Sequence, residues 1–468
     1  MEFGPAVNTI ATWISGPDPS WWAVGIGLVA VWVIPVLAIV FPVAAVGQII
    51  ERKVAAAMQR RHGPNTVGMD GILRLVVRLA FFFLPRAAQD RIQARITALP
   101  GVGWTLGLLQ RSGLGQLAAD GVKMIGKEDI VPAGTDGLVF RAAPYLALVG
   151  AFLPFAAIPF AQNLVALEVP VGALYVVAAS GFTVVGLLMA GWGSGNKFSL
   201  LGGMRAVAQV VSYEIPVGLA IAGVVLWCGT MDLHQIVAHQ YNGQWYSFLG
   251  WNIFQSPFLA LLACLLFFAG LAECQRTPFD MAEAESELVS GFNTEYSGLR
   301  WGMFAMAEYS EMILVGALVS TLFLGGYQSP IGEPWIMSLP GWLETIIHAG
   351  ILLVKFTLGV VLMVWIRWTL PRFRVDQVMR LCWLTLVPLC LLSLFGLALT
   401  MLLGGLAGGV HTGPAYGRIP GMQHINLDAL GWLVTWVVPV GFAAVLVAVA
   451  RRRHGQMHPA LKQLTGGA

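Results

Sequence analysis

Six of the 24 acidic residues fall between positions 273 and 295: Glu273, Asp280, Glu283, Glu285, Glu287 and Glu295. Read as a helix, Asp280, Glu283 and Glu287 lie at i, i+3 and i+7 on one face, and Glu285 points away. Carboxylates that close raise one another's pKa, and burial raises it further, so such a set can hold and pass protons near neutral pH. Arg276 is the one base within the stretch and offsets only part of the charge. A solvated acidic loop is the plainer alternative. Against it, the acids alternate with Pro278, Phe279, Met281, Leu288, Val289 and Phe292, which calls for packing against something apolar.

Acids recur inside the apolar runs that follow and precede this stretch. Glu308 lies seven residues past Trp301, roughly 10 Å into its run at the helical rise, with Glu311 on the same face. Glu214 lies nine residues past Arg205, roughly 13 Å deep. Ionisable groups within a bilayer are costly and by default mark proton or ion sites. The alternative is a structural hydrogen bond, to Tyr213 or to a neighbouring helix. Glu344, His348 and Lys355 share a face at i, i+4 and i+11, a weaker column because Glu344 falls near the end of its run.

Two basic patches accompany the acids. "ERKVAAAMQRRHGPN" (51–65) carries Arg52 and Arg61, and "PRFRVDQ" (371–377) carries Arg372 and Arg374. Positive-inside anchoring accounts for either patch alone. A third group, "ADGVKMIGKED" (119–129), reads as an amphipathic helix with Asp120, Lys123, Lys127 and Glu128.

The elements that must position these residues are membrane helices. A chain 57% hydrophobic, 11% charged and of mean hydropathy +0.74 excludes a water-soluble fold. Runs able to cross about 30 Å of hydrocarbon as helices occur near 22–50, 140–162, 168–192, 203–228, 249–272, 301–324, 342–369, 380–404 and 429–450. The fold class expected is therefore an all-α polytopic membrane protein with about nine transmembrane helices. The segments after the odd-numbered runs hold 24 of the 27 Lys and Arg residues, which puts those segments on the cytoplasmic side, the N-terminus outside and the C-terminus inside. The first 21 residues lack a basic n-region, so no cleaved signal peptide is expected.

Within the long segment 51–138, "GILRLVVRLAFFFLP" (71–85) is too short to span, and Arg74 and Arg78 at i and i+4 predict a helix on the bilayer surface. The tail 451–468 is basic and reads as a membrane-surface anchor. Cys228, Cys264, Cys274, Cys382 and Cys390 form no C-x-x-C pair, so no iron–sulfur, zinc or haem signature arises and no metal ligand is expected. "GVGWTLG" (101–107) has glycines at the wrong spacing for a dinucleotide loop. Any electrons must come from elsewhere, and no nucleic-acid partner is expected.

Four segments, "ERKVAAAMQRRHGPNTVG", "ADGVKMIGKEDIVP", "GGMRAVAQVVSYEIP" and "AECQRTPFDMAEAESELVSGFNTEYSGL…AEY", resemble the H-subunit family of respiratory NADH–quinone oxidoreductase (complex I), whose mitochondrial relatives are the first NADH dehydrogenase chain. The resemblance runs from about Glu51 to Gln377. It implies a membrane subunit whose loop after the fifth span and surface helix after the first form the floor and mouth of a ubiquinone or menaquinone chamber. Electrons would reach that quinone from an iron–sulfur cluster of a docked peripheral subunit, with no cofactor bound by this chain alone. It also implies small and antiporter-like membrane subunits as partners, membrane lipid around them, a bacterial inner-membrane location, and no independent activity. By motif match the chamber would draw on Arg52, Arg61, Asp120, Arg276, Asp280, Phe292, Arg372 and Arg374. The relay to the proton pumps would draw on Glu214, Glu273, Asp280, Glu283, Glu285, Glu287, Glu295, Glu308 and Glu311.

The chain departs from the family pattern in a basic insert at about 70–112, expected on the membrane near the quinone entrance or against a peripheral subunit. Thr66 stands where the family commonly has Arg. The runner-up is the homologous membrane subunit of a membrane-bound hydrogenase or of a ferredoxin- or deazaflavin-linked dehydrogenase. From a different class, a stand-alone proton-coupled transporter would use Glu214 and Glu308 as ion sites and would transport without partners.

Overall fold

A computed structural model describes residues 2–3, 5–15, 21–64, 114–243, 245–282, 285–408, 411–414 and 423–426, together with positions 85, 86, 90 and 91. The expected ninth span, the basic tail, the surface helix at 71–85, almost all of the 70–112 insert and Glu283 lie outside the described residues. So do the side chains of Glu285 and Ser286.

Helices dominate what is described. Those of seven residues or more are, in order, α1 (Pro5–Ser15), α2 (Trp21–Pro35), α3 (Phe41–Met58), α4 (Leu114–Gly126), α5 (Gly137–Phe152), α6 (Gly172–Gly193), α7 (Lys197–Cys228), α8 (Leu233–His239), α9 (Pro257–Glu273), α10 (Gly298–Phe323), α11 (Gly341–Thr369), α12 (Val375–Leu381) and α13 (Val387–Gly408). A π-helical turn, Val36–Val40, joins α2 to α3, and another, Cys382–Leu386, joins α12 to α13. Strands are limited to two short antiparallel pairs among the described residues, Glu2–Phe3 with Leu167–Glu168 and His411–Pro414 with Gln423–Asn426.

Six stretches of the described residues are long and apolar enough to cross a membrane: Gly137–Ala156, Gly172–Gly193, Lys197–Cys228, Gly298–Phe323, Gly341–Thr369 and Val375–Leu402. Two shorter apolar helices, Ala23–Val33 and Pro257–Glu273, coincide with the first and fifth expected runs. The chain is an all-α polytopic membrane protein. Its outward faces carry exposed Trp192, Trp365, Leu384 and Phe395, as lipid-facing surfaces require.

Lipid is as apolar as the side chains, so the helices associate through close packing of small residues. A Cβ placed at Gly186 of α6 would come within 2.6 Å of the Ala147 nitrogen of α5, so only glycine permits that approach. Larger side chains fill the centre: Tyr213, Val217 and Val224 of α7 pack with Leu259, Leu262 and Leu266 of α9, Ile313 and Val315 of α10, and Phe356 and Val360 of α11. Pro216 breaks the backbone ladder within α7, because it has no N–H to offer the Ser212 carbonyl. The Cys382 thiol donates to that carbonyl at 3.1 Å, which gives this buried cysteine a structural place.

The acidic stretch is mostly loop, and the helix on which Asp280 and Glu287 would share a face does not form. Asp280, Met281 and Ala282 are in turn and loop conformation, and only one helical turn, Glu285–Leu288, forms. Asp280 and Glu287 therefore do not share a helical face. Tertiary contacts decide the local structure here: the Gln209 amide of α7 donates to the Ala272 carbonyl at 2.7 Å and the Phe279 carbonyl at 2.8 Å, and the Phe373 N–H donates to the Pro278 carbonyl at 3.0 Å.

Candidate functional site

The loop that leaves α9 is buried against the bundle. Arg276, Phe279, Asp280, Met281, Ala282, Leu288 and Phe292 all lie inside, which rules out the solvated-loop reading for this part of the stretch. Burying charge without a partner costs several kcal/mol (roughly 3–5 when one member of a pair is removed), so each ion should have an answer close by.

Residues of three helices and of the segment after α11 supply those answers. The Arg276 guanidinium meets Glu308 of α10 at 2.9 Å and Glu51 of α3 at 3.8 Å, and its central carbon lies 4.4 Å from the Tyr309 ring centroid. Glu51 accepts from the Tyr309 hydroxyl at 2.7 Å and also pairs with Arg367 near the end of α11. Two carboxylates and two guanidiniums thus alternate, Glu308–Arg276–Glu51–Arg367, with balanced formal charge. Next to this chain of ion pairs Arg372 meets Asp280 at 2.7 Å.

A cavity of about 40 Å³ lies deeper between α6, α7, α9 and α10, with Glu214, Glu273 and Glu311 in its wall and no Lys or Arg among its lining residues. Three carboxylates around so small a volume titrate as a coupled set: the proton occupancy of each depends on the other two. A second cavity of about 10 Å³ lies against Glu308, Glu311 and Gln275. Nearer the surface, an open cavity of about 470 Å³ is lined by Arg52, Asp120, Lys123, Lys127, Asn293, Tyr296 and Trp301, among others. Arg52 and Asp120 pair at 2.6 Å in its wall and tie α3 to α4. α4 turns Val122 and Ile125 outward, the apolar edge expected of a helix lying on a membrane surface.

The NADH dehydrogenase family profile matches residues 31–84 and 76–398. The H subunit of NADH-quinone oxidoreductase from Anaeromyxobacter dehalogenans (strain 2CP-C) is 38% identical over 391 residues, 80% of this chain and 83% of the relative. Its counterpart in Dehalococcoides mccartyi (strain CBDB1) is 42% identical over 326 residues, 68% of this chain and 81% of the relative. That of Chlorobaculum tepidum is 36% identical over 399 residues, 84% of this chain and 97% of the relative. The chain belongs to the H-subunit family of NADH-quinone oxidoreductase.

In this member of the family the sequence-derived site residues fall into three groups. Arg276 and Glu308 form a buried ion pair, Asp280 pairs with the exposed Arg372, and Glu214, Glu273 and Glu311 line the cavity of about 40 Å³. Arg52 and Asp120 line the open one. The rest are not drawn into these networks. Glu287 pairs with Arg205 at 2.6 Å, with its side chain 55% exposed, so it sits at the rim. Glu295 accepts from the Asn196 amide at 2.7 Å. Arg61 is exposed on the turn after α3, and Arg374 is exposed at the start of α12. Phe292 is fully buried, packed on Phe304 with ring centroids 5.5 Å apart, and does not line the open cavity.

Glu51, Tyr309 and Arg367 are site residues that motif and spacing do not single out. Glu51 and Tyr309 meet across 258 positions, so no local spacing links them. The one available signal is that Glu51 stands directly before Arg52 at the end of an apolar run, where it reads as a boundary residue. Tyr296 is a further contributor: its hydroxyl donates to the Phe140 carbonyl at 3.1 Å, and burial pushes the phenol above its ordinary pKa, which keeps it a donor.

Proposed function

We propose that this chain is the membrane subunit of a proton-translocating NADH-quinone oxidoreductase, that the open cavity at α4 belongs to the quinone chamber, and that the buried acids relay its reduction to proton pumping. The carrying observation is the pairing of Arg276 with Glu308. It joins the buried loop after α9 to the helix that also bears Glu311, one of the three acids around the cavity of about 40 Å³.

Reducing a quinone takes two electrons and two protons, and it places negative charge transiently in a low-dielectric site. Arg276 and Arg52 can answer that charge only by loosening their present pairs, with Glu51 and Glu308 and with Asp120 respectively. A carboxylate released from its guanidinium takes up a proton more readily. Coupled titration then passes the disturbance to Glu311, Glu273 and Glu214. In this reading the end of the bundle that bears the network faces the cytoplasm of a bacterium, with the N-terminus outside. Electrons arrive from an iron–sulfur cluster of a docked peripheral subunit, and ubiquinone or menaquinone is the acceptor. Neighbouring antiporter-like subunits carry the protons.

The complex should be purified through a tag on this chain in mild detergent and its components identified by mass spectrometry. Flavin and iron–sulfur subunits together with antiporter-like chains support the reading, whereas a nickel–iron hydrogenase partner would transfer the chain to the hydrogenase-type complexes. In that preparation Glu214→Gln or Glu283→Gln should lower quinone reductase turnover and proton pumping while NADH oxidation by a soluble artificial acceptor stays intact. Unchanged turnover in both variants would sink the relay.

A further inference from the structure

Hydroxyl groups within the membrane helices mostly bond back to their own helix. Ser212 donates to the Ala208 carbonyl at 2.7 Å, Ser320 to Gly316 at 2.7 Å, Thr321 to Ala317 at 2.9 Å, Thr357 to Leu353 at 2.8 Å and Ser393 to Leu389 at 2.7 Å. This is the usual way a helical Ser or Thr satisfies its hydroxyl away from water. Thr183 of α6 does not do so. It is 5% exposed, and its Oγ1 makes no hydrogen bond of standard geometry among the described residues, although the Glu311 carboxylate lies near enough to interact with it. Ser310 also lacks a standard hydrogen bond, but it lines neither of the two small cavities.

Thr183 lines both. The cavity of about 40 Å³ brings it together with Glu214, Glu273 and Glu311, and the cavity of about 10 Å³ brings it together with Glu308, Glu311 and Gln275. The walls are mostly apolar, so a few waters in the first cavity and roughly one in the second would have the carboxylates and the Thr183 hydroxyl as their polar partners. The hydroxyl is held at this junction by the packing behind it. Gly150 of α5 lies against it so closely that a Cβ there would come 2.3 Å from the Thr183 nitrogen and 2.6 Å from Oγ1. A hydroxyl can donate to one group and accept from another at once, which no carboxylate anion and no apolar side chain can do.

We propose that Thr183 is a positioning residue for proton transfer: its hydroxyl anchors the water that links the Glu308–Arg276 ion pair to the Glu214–Glu273–Glu311 cavity. This role rests on the relay reading above and adds to it the group that bridges its two halves. In the step, the anchored water gives a proton to the carboxylate on one side and regains one from the other, so no charge is created or lost overall. Thr183 itself never ionises; it fixes the water's orientation.

The test uses the intact complex in proteoliposomes, with proton pumping and quinone reductase turnover followed in H₂O and D₂O. Thr183→Val keeps the shape facing Gly150 and removes the hydroxyl, Thr183→Ala removes it without any risk of a clash, and Thr183→Ser retains it. Both Thr183→Val and Thr183→Ala should slow coupled turnover about tenfold and enlarge the solvent isotope effect, while Thr183→Ser stays within about twofold of the parent. Parent-like turnover and isotope effect in Thr183→Ala, or equal impairment of Thr183→Ser and Thr183→Ala, would overturn the assignment. Glu214→Gln in the same preparation separates the two levels. If it slows turnover while Thr183→Ala does not, only the role of Thr183 fails; if Glu214→Gln and Glu283→Gln also leave turnover unchanged, the relay and this role fail together.

Discussion

Two buried charge clusters lie near opposite ends of α11, with His348 and Arg367 nineteen residues and so roughly 28 Å apart along the helix. Near its start, His348 meets Glu333 at 3.0 Å, both fully buried, with Glu344 at 3.9 Å. In the same region the Lys355 ammonium donates to the carbonyls of Leu324, Gly326 and Gln328 at 2.7, 2.7 and 2.8 Å and lies 4.4 Å from the Trp251 ring centroid. All three of its protons are thus used on one turn of backbone. Near the other end, Arg367, Glu51, Arg276 and Glu308 answer one another, with small cavities close by. A charge satisfied by backbone carbonyls cannot leave without unmaking the fold. A charge satisfied by another side chain can exchange partners, and the contrast separates a cluster that holds the chain from one suited to moving charge.

Lys355→Met should give the largest effect and should fall on stability. It leaves three backbone carbonyls without their donor, at about 1–3 kcal/mol for each that stays unsatisfied, read as a lower thermal unfolding midpoint and weaker retention of this chain in the complex. Turnover per assembled complex should hold. An unchanged midpoint with reduced turnover would reverse the roles assigned to the two clusters.

Arg276→Lys should do the opposite. Lysine keeps the charge but cannot present a planar fork to Glu308 and Glu51 while stacking on Tyr309. Quinone reductase turnover should fall about tenfold while the unfolding midpoint moves less than in Lys355→Met. Tyr309→Phe should come next, since it removes only the hydroxyl that donates to Glu51. A hydrogen bond to a charged group contributes about 1.5–3 kcal/mol, and Arg367, already paired with Glu51, would still balance the carboxylate. A turnover loss smaller than that of Arg276→Lys is expected, and a larger one would mean that the phenol, not the guanidinium, organises the network.

How much of each cluster is legible in the sequence differs for the same reason. The column Glu344, His348 and Lys355 lies on one helix, so its spacing displays it, although the carbonyls that complete it come from the loop 324–328 and Glu333 from the short helix Glu333–Met337. The motif around Arg276 reveals the family and the acids, and hydropathy locates eight of the nine runs as helices among the described residues. The shared face expected of Asp280 and Glu287 does not form because Gln209 and Arg372, from α7 and from the segment after α11, hold the loop in a conformation that its own residues do not encode. Glu51 and Thr183 stay hidden in the sequence because what defines each is its spatial surroundings.

The smallest predicted effect is one of pH. His234 of α8 stacks near Tyr327 with centroids 6.2 Å apart, and Tyr327 in turn lies 5.1 Å from His348, so it belongs to the holding cluster. Burial lowers its pKa below the ordinary value of 6.5, and the neighbouring Asp232 opposes that shift only in part. The folded protein therefore keeps this imidazole neutral while the unfolded chain takes up a proton as pH falls through about 6.5. Its contribution to stability is complete above that pH and declines as the pH drops toward the lower folded value, by no more than about 1.4 kcal/mol per pH unit. His234→Gln, neutral throughout, should flatten the fall in unfolding midpoint between about pH 7 and about pH 5.5, with little change in the pH profile of turnover. If instead the turnover profile moved and the midpoint did not, proton traffic would reach the end of the molecule assigned to holding, and the division between the clusters would fail.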